Sequence, residues 1–326
     1  MLLLIGVSLG VMGIEFYEFM ILRATKSVRI VNQVVAIKPL EKYTIENLGK
    51  RSYQSKIVLD EITASNAAFL VQKFHFDSDG KNVSGLIHLP VGPLACDRCP
   101  VIVQFRGYTP VENYESGYGT KHSAEMFATN GFISVAPDFL GYGDSASPSA
   151  DVFEARFETY TTALNLLSAI DNWSLASPNM VGLWGHSNGG QIALTTLEIS
   201  EKKYPTVLWA PVSAPFPYSI LYFMNDNEEG DRNLRKKLVA FEEVYDLKYF
   251  DPINFLQNIQ ASIQLHQGAA DASVPVEWSR NLIMRLIKLD KQIKYFEYPG
   301  ADHNLVPDWN RVVERDIVFF NQLMAK

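Results

Sequence analysis

From residue 101 onward the chain repeats one pattern. A short run of consecutive apolar residues is followed by a turn and then by helical spacing. The runs are 101–105 (VIVQF), 132–136 (FISVA), 180–184 (MVGLW), 207–210 (VLWA), 263–266 (IQLH) and 293–298 (IKYFEY). A strand that is apolar on both faces must be covered on both faces, and helices between the strands supply that cover. The pattern therefore predicts an α/β fold with a mostly parallel central sheet and helices on both sides. Helices are expected around 120–130, over 151–173 and from 188 onward. Upstream, 68–76 (AFLVQKFHF) and 83–89 (VSGLIHL) flank Asp77-Ser78-Asp79-Gly80, which is turn chemistry, so an antiparallel hairpin should lead into the parallel part.

The pattern organises the chain into a body over 67–326, preceded by an extension over 23–66 and an apolar segment over 1–22. It breaks once. Between about 211 and 255 no strand is legible, and an insertion of this size between strands reads as a helical cap. Its aromatic residues, Phe216, Tyr218, Tyr222 and Phe223, are expected to face the carboxyl edge of the sheet, where open α/β folds bind ligands. In the first segment only Glu15 and Glu18 are charged, and the apolar run 2–14 is too short to span a bilayer as a helix. No positive leader or small-residue cleavage site accompanies it. It reads as an anchor or an address, which favours an extracytoplasmic or membrane-associated protein. The alternative is an amphipathic helix packed through Ile14, Tyr17 and Ile21.

Composition excludes several classes. The 326 residues carry a net charge of −7 with no basic block, so nucleic acid is not an expected partner. The two cysteines, Cys96 and Cys99, have no second pair or nearby histidine to complete a zinc site. They form either a small disulfide or two free thiols in a loop.

The sharpest local signal is Gly185-His186-Ser187-Asn188-Gly189-Gly190. It lies between an apolar strand and a helix, which is the setting that G-x-S-x-G requires. The flanking glycines remove Cβ atoms, and the turn pushes the serine hydroxyl out above the sheet. A serine hydroxyl is a weak nucleophile and needs a base and an orienting acid. In the strand–turn–helix arrangement the chain order is Ser, then Asp or Glu, then His. Only His266 and His303 follow Ser187. His266 ends an apolar run and reads as structural, whereas His303 sits in a loop after the last strand and is the expected base. Asp271, after the penultimate strand, is the expected acid. Asp302 is too close to His303 in sequence to orient it, and Asp246 and Asp251 fall in the cap. The expected oxyanion donors are the amides of Asn188 and Tyr108, the latter in the loop after the first parallel strand, with the Tyr108 ring covering the acyl site. Arg106, Tyr142, Tyr218 and Tyr222 are the candidate substrate contacts, with a structural ion pair as the alternative for Arg106.

These residues together resemble the α/β-hydrolase superfamily. The run from His266 to Pro275 (HQGAADASVP) is most similar to the catalytic domain of the prolyl oligopeptidase family; Ser187-Asn188-Gly189-Gly190 also fits that family, as does the loop 138–145 (DFLGYGDS), which resembles that of many esterases as well. The Gly107-Tyr108-Thr109 loop is similar instead to cutinase-like polyester hydrolases. The resemblance spans about residue 83 to the C-terminus and implies hydrolysis of an ester or amide through an acyl-serine. Large oligopeptidases of the family carry an N-terminal propeller. Only about 80 residues precede the domain here and they show no blade repeat. The expectation is therefore a carboxylesterase acting on a small-molecule ester, with a short-peptide hydrolase using the same residues as the alternative. No metal or organic cofactor is expected.

Overall fold

The computed structural model describes residues 38–225 and 228–324. The anchor-like segment 1–22 lies outside them, and among the described residues no helix is long and apolar enough to cross a membrane. Nine strands form one sheet: β1 (Val58–Ser65), β2 (Phe69–Ser78), β3 (Lys81–Pro90), β4 (Cys99–Phe105), β5 (Ile133–Pro137), β6 (Ala176–His186), β7 (Thr206–Trp209), β8 (Ile263–Gly268) and β9 (Ile293–Tyr298). The described helices are α1 (Ile45–Gly49), α2 (Lys121–Ala128), α3 (Val152–Asp171), α4 (Asn188–Ser200), α5 (Tyr218–Leu221), α6 (Glu229–Val244), α7 (Val276–Lys288) and α8 (Trp309–Met324).

The strand order is β1-β2-β3-β5-β4-β6-β7-β8-β9. The pairings among β1, β2, β3 and β5 are antiparallel, and all pairings from β5 through β4 to β9 are parallel. The hairpin forms as expected and closes on two residues, Asp79 and Gly80, with φ of 57° and 82°. Positive φ at both positions twists the turn with the strands. β1 was not legible in the sequence. It is exposed along most of its length, so no apolar alternation marks it.

The parallel strands bury alternate residues on opposite faces. Val101, Val103 and Phe105 of β4 and Leu183 of β6 join a large core with Phe157 and Leu164 of α3 and Ile192 and Leu197 of α4. Ile102 and Trp184, from the same two strands, join the opposite core with Phe127 of α2, Trp209 of β7 and Phe320 of α8. Helix α3 starts at Asp151, whose carboxylate accepts from the Phe153 and Glu154 amides. Because β5 and β6 lie on either side of β4, the chain leaves these neighbours in opposite directions. The crevice at their carboxyl ends is the topological switch point of the sheet. The cap interval holds α5, α6 and two short 3-10 turns, Leu247–Tyr249 and Pro252–Asn254. Cys96 is joined in a disulfide to Cys99, the first residue of β4.

Candidate active site

Ser187 occupies the turn between β6 and α4 with φ 56° and ψ −118°. Its amide donates to the Trp209 carbonyl of β7 at 2.9 Å, and its own carbonyl accepts from Gly190 and Val212 at 3.0 Å each. These bonds hold a conformation that side-chain-bearing residues rarely adopt. The turn also needs its glycines. A Cβ on Gly189 would overlap the Phe105 carbonyl, and one on Gly185 would overlap the Gly189 carbonyl.

Asp271 and His303 follow β8 and β9 and meet side by side. His303 Nδ1 donates to Asp271 Oδ2 at 2.8 Å, where the Asp271 side chain is fully buried and His303 is 19% exposed. Gln267 Nε2 also donates to Oδ2, at 3.0 Å, and the Ser273 and Val274 amides donate to Oδ1 at 2.8 Å. Burial alone would raise this carboxyl, but the bonds from His303, Val274 and Ser273 outweigh it and hold it below the usual carboxylate range. Asp302 turns away. Its Oδ1 accepts from the Asn304 and Val306 amides of its own loop. Asp251 accepts from the Phe216 and Ile253 amides, and Asp246 from the Lys248 amide, so both serve the cap backbone. Ser187 Oγ has no hydrogen-bond partner among the described residues. The His303–Asp271 contact is therefore made without a Ser187 hydroxyl bond to complete it.

His186 was not singled out by sequence reasoning, yet it fixes the loop of His303. Its Nε2 lies 2.9 Å from the His303 carbonyl, and a carbonyl only accepts, so Nε2 carries the proton. The two rings lie 4.7 Å apart. Burial and then the neighbouring His303 push the His186 pKa down to about 4, so it stays neutral at neutral pH. Its place between Gly185 and Ser187 was the available signal.

The loop after β4 closes over Ser187. A Cβ on Gly107 would lie 3.2 Å from the Ser187 Cβ, so only glycine lets the two segments approach freely. Three expectations for this region change. The Tyr108 ring is 75% exposed and stands in solvent rather than covering an acyl site. Arg106 makes no ion pair among the described residues, and its burial leaves little of it exposed to a substrate. It is buried, with its guanidinium over the rings of Tyr142 at 3.9 Å and Tyr114 at 4.4 Å, and it donates to the carbonyls of Gly107 and Asp138. Tyr142 is half-buried and donates its hydroxyl to the Thr109 carbonyl at 2.8 Å. Both side chains hold the loop in place from beneath. The Asp138 carboxylate completes the support by accepting from Ser84, Tyr114 and Ser116 hydroxyls at 2.6 to 2.8 Å.

In the cap, Tyr218, Tyr222 and Phe223 are exposed and gather around Trp278 of α7, with ring centroids 6.0, 4.9 and 5.9 Å from it. His266 is structural as expected. It is fully buried between Asp316 of α8 at 2.9 Å and the Tyr298 hydroxyl at 2.8 Å. Among the described residues no group of three His, Cys, Asp or Glu side chains is placed to hold a metal.

The sheet topology and a serine on its strained strand–helix turn define an α/β-hydrolase fold and a serine hydrolase of the esterase or peptidase kind. Residues 118–326 match the prolyl oligopeptidase family, and the chain belongs to that family. It is 24% identical over 249 residues to the uncharacterized peptidase YtmA of Bacillus subtilis (strain 168), covering 74% of this chain and 88% of that one. Its fold is similar to acetyl xylan esterase 1 from Thermoanaerobacterium sp. JW/SL YS485, with TM-score 0.65, 15% identity, and 88% and 94% of the two chains covered. It is also similar to a puromycin-hydrolyzing peptidase of Mycobacterium tuberculosis, with TM-score 0.63, 17% identity, and 81% and 41% covered.

Proposed function

We propose that the protein hydrolyses carboxylic esters of small molecules through an acyl-serine. Ser187 Oγ attacks the ester carbonyl carbon while its proton passes to His303 Nε2. Asp271 holds the Nδ1–H tautomer and stabilises the imidazolium. The amides of Tyr108 and Asn188 receive the oxyanion, and Asn188 adds the positive end of α4. Collapse of the tetrahedral intermediate breaks the C–O bond, and the alcohol leaves with the proton from His303. A water then repeats the sequence on the acyl-serine and releases the acid. Tyr218 and Tyr222, with Phe223 and Trp278, form an apolar wall for the acyl group.

The observation that carries this reading is the 2.8 Å His303–Asp271 contact beside a serine held at φ 56°. Ester preference is supported by the exposed rings of Tyr218, Tyr222 and Phe223, while Arg285 and Lys288, which border Tyr218 and Trp278, leave room for the peptide reading below. A second reading, amide cleavage by the same residues, is supported by family membership and by the peptidase YtmA. A panel of nitrophenyl esters graded by acyl length, run beside aminoacyl anilides, separates the two. Anilide turnover above ester turnover overturns the ester reading. Failure of Ser187 to react with a fluorophosphonate probe overturns both.

A further inference from the structure

A cavity of about 500 Å³ opens beside the catalytic residues, between the starts of α2 and α8. Its size lies within the range of small-molecule sites. Trp184, Trp209 and Trp309 line it, three of the chain's five tryptophans, together with His186 and His122. The rings are continuous. His122 lies 4.0 Å from Trp309, Trp309 meets Trp209 at 6.0 Å, and Trp209 meets Trp184 at 5.2 Å. Trp184 is 2% exposed, and its indole N–H has no acceptor among the described residues.

Ser187, Asp271 and His303 do not line the cavity, but residues next to Ser187 and His303 do. His186 precedes Ser187 and bonds to the His303 carbonyl, the Trp209 carbonyl holds the Ser187 amide, and Asn304, at the rim, follows His303. In the proposed reaction His303 hands its proton to the departing alcohol. The alcohol therefore departs on the His303 side, which this cavity borders. Its walls carry little net charge, since Glu115 and Lys121 at the rim are opposite in sign and His186 is neutral.

We propose that this cavity receives the leaving alcohol of the substrate, and that the alcohol is an uncharged six-membered ring bearing oxygen, aryl or pyranose. The ring stacks on Trp309 and His122, the accessible end of this aromatic row. This rests on the ester-hydrolase reading, so the test has a binding arm that needs no turnover.

In the Ser187→Ala protein, tryptophan fluorescence is titrated with phenol, methyl xylopyranoside and, as an open-chain control, n-hexanol. A saturable change with a ring alcohol, weakened in Trp309→Ala and in His122→Ala, is expected. Whichever ring binds distinguishes the aryl from the sugar source. In the active protein, kcat/KM is compared for phenyl acetate, an acetylated methyl xyloside and ethyl acetate. The ring-to-ethyl ratio should fall roughly two- to tenfold in either variant, the worth of one stacked ring. His122 is largely exposed, so its variant reports even if Trp309→Ala fails to fold. Hexanol binding as well as the rings, or an unchanged ratio in His122→Ala, overturns the cavity assignment alone. Ring binding by a protein that hydrolyses no ester overturns the reaction reading and the leaving-group role with it.

Discussion

The backbone at Ser187 can be tested as strain with two substitutions that differ only in a methyl group. At φ 56° and ψ −118° the residue sits where a type II′ turn places its first central residue, a position that favours glycine. A side-chain-bearing residue there costs about 1–3 kcal/mol. Ser187→Ala keeps the Cβ and therefore the strain. It removes a hydroxyl with no partner among the described residues, so its stability should match the wild type. Ser187→Gly relieves the strain but adds about 0.5–1 kcal/mol of unfolded-chain entropy. The glycine variant should therefore be more stable than the alanine variant by about 0.5–2 kcal/mol, or a few degrees in Tm. Both should lose turnover by more than about a thousandfold. Urea unfolding of the three proteins and nitrophenyl ester hydrolysis measure these outcomes. A glycine variant less stable than the alanine variant refutes the strain argument. Activity within tenfold of wild type in Ser187→Ala refutes the nucleophile.

Three further outcomes follow from single side chains. Gly107→Ala places a methyl group 3.2 Å from the Ser187 Cβ, and the displacement should lower kcat roughly tenfold or more with little change in Tm. Unchanged kcat would separate this loop from catalysis. His88 is buried, neither ring nitrogen has a partner among the described residues, and burial, then Lys121, push its pKa from 6.5 down to about 4. The unfolded chain then binds a proton that the fold refuses, so stability present above pH 6.5 is lost as pH falls towards 4, by up to about 3 kcal/mol. His88→Leu should flatten this loss in urea midpoints taken at pH 7 and 4.5, and an equal slope in both proteins contradicts it. Burial, with repulsion from Asp251, pushes the Glu198 carboxyl well above its usual range. Its stabilisation is complete below about pH 4 and fades as pH rises through the folded pKa, so Glu198→Gln should gain on the wild type between pH 5 and 8. A difference between the two proteins that stays constant across that interval would show that Glu198 is already ionised in the fold.

The parts of the fold that could be read from the sequence are those whose burial is local. Strands β4, β6 and β8 carry mostly apolar runs because both faces are covered over 101–105, 181–185 and 263–268. The exposed β1 has no such mark. Ser187, Asp271 and His303 were legible because each sits on a short turn directly after a legible strand. The role of Arg106 was not. Its partners are two aromatic rings and the carbonyl of Asp138, 32 residues away, and no local pattern announces a cation that supports a loop through carbonyls. His186 was hidden for a similar reason, since its partner is the His303 carbonyl, 117 residues away.

The same geometry explains why the reaction was easier to read than the substrate. Gly107, Ser187, Asp271 and His303 follow the carboxyl ends of β4, β6, β8 and β9, and parallel neighbours lie about 4.8 Å apart. Once the strands pair, the spacing of the proposed catalytic groups is set within narrow limits by the sheet. The walls around them are set otherwise. The cluster around Trp278 comes from the cap and α7, and the tryptophan-lined cavity draws on β6, β7, α2 and α8. No single turn carries either wall. A substitution there alters which ester fits without touching the spacing of the reacting groups, so the alcohol and acyl preferences can change independently of the chemistry.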